Sequence, residues 1–189
     1  GAVPPALTAL SLRDTDFLHS DMDHLYALLR GMQELTQLDL SGLELSGCYI
    51  VDIGELVSRM TELTALNLNE FAYVHGGRDL SDWIGRCWQL RVLSLKRLQL
   101  MTDDVVTIVN SLTQCTHLHT LDLSNNLPLE WCDRRRVEQR GEKLAGALSA
   151  LPALTSLDFS DSAICSIEAR IIRTRLPGLA DFRWQDLPD

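Results

Sequence analysis

The chain is short of almost everything that announces chemistry. It has no Walker loop, no Gly-x-Ser-x-Gly elbow, no His-Glu-x-x-His helix and no glycine-rich phosphate loop. No serine, cysteine or carboxylate has a base at diagnostic spacing, so the expectation is a non-enzyme with no catalytic residue and no cofactor. Cysteine is sparse and odd in number. The five thiols, Cys48, Cys87, Cys115, Cys132 and Cys165, form no CxxC pair, which suits a reducing, cytoplasmic compartment better than a disulfide scaffold. No run of about 18 apolar residues exists to span a bilayer. Positive charge is scarce too: 17 Lys and Arg face 26 Asp and Glu, a net charge of −9. That balance argues against nucleic acid or an anionic membrane as the partner. No secretory signal opens the sequence, and the abrupt start at Gly1-Ala2-Val3-Pro4-Pro5 leaves room for a longer natural chain.

What the chain has is one phrase, repeated. LTALSL begins at Leu7, LTQLDL at Leu35, LTALNL at Leu63, LRVLSL at Leu90, LHTLDL at Leu118, LTSLDF at Leu154 and a degraded LADFRW at Leu179. The starts are separated by 28, 28, 27, 28, 36 and 25 residues. A period in this range is the mark of a solenoid. With positions counted from the first leucine, apolar residues at 4 and 6 flank a polar residue at 5, the period of a short strand with one buried face. Counting back from the next start, apolar residues recur near −10, −7 or −6, and −3, the stripe of a helix. In the first unit these are Leu25, Leu28, Leu29 and Met32. Cys87 and Cys115 fall in the −3 column beside Met32, Met60, Leu151 and Leu176, which reads them as small core residues. Helix starts are expected at Ser20-Asp21-Met22-Asp23, at Thr102-Asp103-Asp104 and at Ser166, and a stop at Pro177-Gly178.

Strand, turn and helix in repetition make an α/β fold with a parallel sheet. A helix is about 10 Å across and strands lie about 4.8 Å apart, so the stack bends, with strands on the concave side and helices on the convex side. Residues 1–189 read as one such domain, with 127–141 as an insertion in the fifth of about seven repeats. In the last unit Phe182 and Trp184 replace the two core leucines and read as a lid over the open end of the core. No comparable lid precedes Leu7, so that end is where a second copy or further repeats would stack.

The LxxLxL phrase with a long helical half and a period of 28 resembles leucine-rich repeats of the ribonuclease-inhibitor type. Such repeats also occur in Ran GTPase-activating proteins, in the sensor ends of NOD-like receptors and in tropomodulin-like actin cappers. The resemblance covers essentially the whole chain. It implies a horseshoe that works as a protein-binding scaffold; regulation of a small GTPase, or a structural segment of a larger receptor, are the alternatives it permits. The pattern departs from the family at position 9, which reads Thr15, Leu43, Phe71, Leu98, Asn126 and Ser162. Only Thr15 and Asn126 fit the usual Asn, Cys or Thr, so the turns are expected to be less regular than the strands.

Positions 3, 5 and 7 are expected to point away from the core. Position 5 reads Ser11, Asp39, Asn67, Ser94, Asp122, Asp158 and Arg183, and Asp122 with Asp158 forms an acidic strip that would attract a basic partner. The plainer account is that Leu-Asp-Leu-Ser is a common spelling of this strand. Lys96 and Arg97 form a basic island beside Glu70, which a lateral salt bridge explains without a ligand. The insertion carries Trp131, Cys132, Arg134, Arg135, Arg136 and Arg140, residue types enriched at binding hot spots; the alternative is a longer, solvated helix. Trp88 stands in a column of Gln33, Thr61, Thr116, Pro152 and Pro177, and is expected to be exposed and a candidate anchor. His117 and His119 share a strand face without a third ligand, and His19, Asp21, Asp23 and His24 read as an acidic helix start, so no metal is expected.

Overall fold

Leucine at position 4 decides the architecture. The computed structural model describes residues 7–15, 21–43, 47–71, 77–127 and 134–185, with backbone alone at 47–50 and 134. Among these, short strands alternate with helices: β1 Ala9–Ser11, α1 Met22–Arg30, β2 Gln37–Asp39, α2 Gly47–Val57, β3 Ala65–Asn67, α3 Gly77–Ile84, β4 Val92–Ser94, α4 Thr102–Ser111, β5 Thr120–Asp122, α5 Arg134–Leu148, β6 Ser156–Asp158, α6 Ser166–Arg175 and β7 Asp181–Arg183. The seven strands form one parallel sheet in chain order. Leu10, Leu38, Leu66, Leu93, Leu121, Leu157 and Phe182 are register partners from strand to strand. The 36-residue spacing before the sixth phrase does not disturb this, because Leu121 still pairs with Leu157. Consecutive helices pack side by side behind the sheet. No helix among the described residues is long and apolar enough to cross a membrane.

One apolar cluster runs through the stack and joins the inward leucines to the helix stripes. Each fully buried leucine contributes about 1.5–3 kcal/mol relative to an exposed one, which is why the phrase tolerates change between its leucines and little at them. The −3 column is core at Met60, Cys87, Cys115, Leu151 and Leu176, which are buried, while Met32 of the first unit is half-buried against it. The helical stripe is buried as expected in the second to fourth units, at Ile53, Leu56 and Val57, at Leu80, Trp83 and Ile84, and at Ile108 and Leu112, and departs in the first. In α1, Met22, Leu25 and Leu29 are buried but Leu28 is 39% exposed, because this helix turns its −13, −10 and −6 residues inward. At the last unit Phe182 is buried, and Trp184 packs against the core from outside. The opposite end is barer, with Leu7 51% exposed and Leu10 and Leu12 only half-buried.

The turns are more regular than position 9 suggested. Position 8 has a left-handed backbone in all six described units, at Asp14, Gly42, Glu70, Arg97, Asn125 and Asp161. Its N–H bonds the position 7 carbonyl of the next unit, from Asp14 to Ser41, Gly42 to Asn69, Glu70 to Lys96, Arg97 to Ser124 and Asn125 to Ser160. The ladder therefore continues beyond the strands whatever side chains the turn carries. Position 9 is a core place, filled by Leu43, Phe71, Leu98, Asn126 and Ser162, with Thr15 alone exposed. Asn126 earns its burial through its amide. It donates to the Leu95, Leu123 and Ser124 carbonyls and accepts from the Leu98 and Leu100 N–H groups. One side chain thus joins two turns whose polar atoms would otherwise be stranded.

Helix starts differ from the expectation by one residue. Met101 is the N-cap of α4 and Cys165 that of α6, so neither Thr102 nor Ser166 caps. The capping comes from an acid in the first turn: Asp104 accepts the Met101 N–H at 2.9 Å and Glu168 the Cys165 N–H at 2.9 Å. Thr102 is buried with no hydrogen-bond partner for its hydroxyl. In α1 the N-cap is Asp21, without a side-chain cap hydrogen bond, while Ser20 lies outside the described residues. The stop at Pro177-Gly178 matches the end of α6 at Arg175. Two close approaches fix helix spacing. A Cβ on Gly54 would meet the Trp83 ring at 2.2 Å, and one on Gly77 the Asp104 carbonyl at 2.4 Å.

Candidate protein-binding face

Because side chains alternate along a strand, positions 3 and 5 form two outward rows across the sheet. Strict register lines them up as Ala9, Gln37, Ala65, Val92, Thr120, Ser156, Asp181 and as Ser11, Asp39, Asn67, Ser94, Asp122, Asp158, Arg183. The sequence expected position 7 to join them. It does so only in part, since Ser41 and Ser124 are buried where the chain curls into the turn.

The acids of position 5 are holding the turns. Asp39 Oδ1 accepts the Ser41 N–H at 2.9 Å and the Ser41 hydroxyl at 2.6 Å. Asn67 accepts the Asn69 N–H, Asp122 the Ser124 N–H and Asp158 the Ser160 N–H by the same geometry. Where position 5 is Ser94, the Lys96 N–H turns instead to Asn69 of the preceding unit at 2.7 Å. The spelling of the strand is thus a turn device, and at Asp39 both bonds use the same carboxylate oxygen. The signal was in the sequence: each acid or amide of this column is followed two residues later by Ser or Asn.

Asp122 and Asp158 are register partners, so their charges stand on adjacent strands. Arg183 closes the row. Its guanidinium lies 3.9 Å from Asp158 and 2.9 Å from Asp181. The hydrogen bond to Asp181 raises its pKa above the ordinary value, with the charges of Asp181 and Asp158 adding to the shift. The far half of the face is therefore charged and internally compensated.

The near half is different. Small residues of position 3, Ala9, Ala65 and Val92, leave room above the sheet. With Ser11, Asp39, Asn67 and Ser94 they line a hollow of about 560 Å³ across β1–β4. Its walls are mainly apolar, and Asp39 is the only charged residue lining it among the described residues. That combination suits an aliphatic stem ending in a cation.

The remaining candidates sort by edge. Glu70 and Arg97 occupy neighbouring left-handed positions at the strand-to-helix edge and pair at 3.2 Å, both more than half exposed. Lys96 is half-buried beside them. Trp88 is 48% exposed, as its column suggested, but lies on the helix-to-strand side of β4, the opposite edge of the sheet. Trp131 and Cys132 lie outside the described residues. Arg134 begins α5 and Arg135 is exposed in its first turn. Part of the insertion is the longer helix, since α5 has 15 residues against 8 in α3.

Arg140 does not belong to a docking patch. It is almost fully buried and forms a two-pronged ion pair with Glu168, which is itself inaccessible, while donating to the Ala163 carbonyl at 2.6 Å. Glu168 also caps α6, so the pair ties α5 to the start of the next helix.

No protein-family model and no curated protein matches this chain. Solved structures do. The tropomodulin C-terminal domain of Caenorhabditis elegans aligns with a TM-score of 0.63 at 15% identity, over 84% of this chain and 92% of that one. The actin-binding site 2 of leiomodin-1 aligns at 0.48 and 12%, over 93% and 82%. An internalin C2 of Listeria monocytogenes aligns at 0.44 and 16%, over 94% and 80%. At these identities the likeness is one of fold, and the fold it supports is the leucine-rich repeat type.

Proposed function

We propose that this chain is a non-catalytic protein-binding module, a seven-repeat horseshoe of the ribonuclease-inhibitor type acting as one domain. Its partner docks on the strand face and presents a basic patch to it. The observation that carries the reading is the hollow over β1–β4, since open space above four in-register strands goes with a concave face. The rows around it stand on a sheet held by two ladders, strand and turn, so docking orders little that was not already ordered. Asp39 is the anchor for a cationic side chain, and Asp122 and Asp158 add long-range attraction. Arg135, exposed in the first turn of α5, and Glu70, Lys96 and Arg97 of the strand-to-helix edge extend the contact beyond the strands.

The test must separate charge from folding, because the same acids hold turns. Asparagine keeps the Oδ1 acceptor and removes the charge. A partner captured by photo-crosslinking from the strand face is expected to lose affinity for Asp39→Asn and Asp122→Asn/Asp158→Asn variants whose melting is unchanged. The complex is expected to weaken with salt. Equal affinity for all variants sinks the proposal. The alternative of a GTPase regulator predicts faster GTP hydrolysis in a panel of small GTPases; no acceleration removes it.

A further inference from the structure

The far end of the stack carries a second surface, chemically opposite to the strand face. A hollow of about 340 Å³ opens between α6 and Trp184, lined by Ser166, Ala169, Arg170, Arg173, Thr174 and Trp184. Ser166, Arg170, Arg173 and Thr174 follow helical spacing and are all exposed, so they form one stripe of α6. Every earlier helix has a successor packed against it, whereas α6 has none among the described residues.

The charge here runs against the rest of the chain. In a protein of net charge −9, nearby cations are matched: Arg140 pairs with Glu168, Arg175 with Glu142 and Arg183 with Asp181. Neither Arg170 nor Arg173 faces a carboxylate among the described residues. Arg173 instead lies over the Phe182 ring, 5.8 Å from its centroid, a contact that favours this position of an otherwise exposed side chain. Arg170 stands one helical turn before it, so the two heads are about 5–6 Å apart at their bases. Between and beneath them are Ala169 and the Trp184 ring.

We propose that this hollow docks an acidic segment of another protein, two of whose carboxylates engage Arg170 and Arg173 while an apolar side chain between them rests on Trp184. Guanidinium favours carboxylate through paired hydrogen bonds, and the indole supplies apolar area at little entropic cost. An anionic bilayer is a poorer occupant, because the whole chain is repelled by it. The site is independent of the strand face.

Amide spectra of the full nitrogen-15-labelled chain, titrated with the octapeptide Glu-Glu-Leu-Glu-Glu-Phe-Glu-Glu, test it. Saturable shifts are expected from Ser166 to Thr174 and at the Trp184 indole. Arg170→Glu should weaken them about tenfold or more, while Arg170→Lys, which keeps the charge but not the paired hydrogen bonds, should weaken them less. Arg170 is exposed and its side chain makes no hydrogen bond or ion pair among the described residues, so an unchanged melting curve validates both variants. A peptide with lysine in place of glutamate should leave the spectrum unchanged. Equal binding by Arg170→Glu, shifts on the strand face, or no shift overturns the proposal. So does a stronger response to phosphatidylserine vesicles, which assigns the hollow to a membrane. Self-association abolished by Arg170→Glu assigns it to a second copy of the chain.

Discussion

Asp122 performs two tasks that single substitutions can separate. Its Oδ1 holds the Ser124 N–H, while its charge opposes that of Asp158 on the next strand. Asp122→Ala removes the acceptor and should cost about 1 kcal/mol. Asp122→Asn keeps the acceptor, relieves the repulsion, and should leave stability within about 0.5 kcal/mol or raise it. Urea denaturation of the two variants checks this, and equal losses would show that the turn bond contributes nothing. The buried thiols give a second prediction. Burial raises the pKa of Cys87 from 9.0 to about 12, with Cys115 adding to the shift, and burial raises that of Cys115 to about 11. The unfolded chain therefore loses these protons first. Their contribution to stability is complete below about pH 9 and falls as pH rises towards 11–12, by up to about 1.4 kcal/mol per pH unit for each thiol. Between about pH 8 and pH 10 the wild-type urea midpoint should drop more steeply than that of Cys87→Ala/Cys115→Ala.

At the scale of elements, the seam between α5 and α6 holds a buried ion pair, Arg140 with Glu168, beside the exposed pair of Arg175 with Glu142. Arg140→Met or Glu168→Gln leaves a buried partner uncompensated and should cost about 3–5 kcal/mol. The double replacement Arg140→Met/Glu168→Met should cost less than either single change, which a double-mutant cycle by chemical denaturation would read directly. The buried pair shows where sequence reading stops. The strands, the −3 column and the aromatic lid were legible because each is a column repeated with the period. Arg140 and Glu168 each occur once, and Arg140 looked like one more arginine in a run. The helix starts were misread by one residue because Met101 and Cys165 are not capping types; the cap comes from the acid three residues later. The regularity of the turns was hidden for a different reason. Position 8 is defined by a backbone angle that Asp, Gly, Glu, Arg and Asn all adopt here, so no residue type marks it. Of the strand face, the row of position 5 was legible, and its turn-holding role was signalled only by the Ser or Asn two residues on; the hollow depends on the small size of Ala9, Ala65 and Val92, which charge-based reading passes over.

For the molecule as a whole, each layer touches only its neighbours, so stability is distributed along an axis. The Leu7 end has exposed residues at Leu7, Ala9 and Ser11, whereas Leu93 and Leu121 are wholly inaccessible. Amide exchange should therefore be fastest in β1 and slowest in β4 and β5, and a fully concerted pattern across all seven strands would contradict a layered stack. The same layering explains how β5 and β6 stay in step although their phrases lie 36 residues apart. The longer fifth unit leaves the register of β5 and β6 without a slipped rung, which makes it a natural graft point. Here a lineage, or an engineer, could lengthen the polypeptide and alter what the solenoid grips while every leucine keeps its seat.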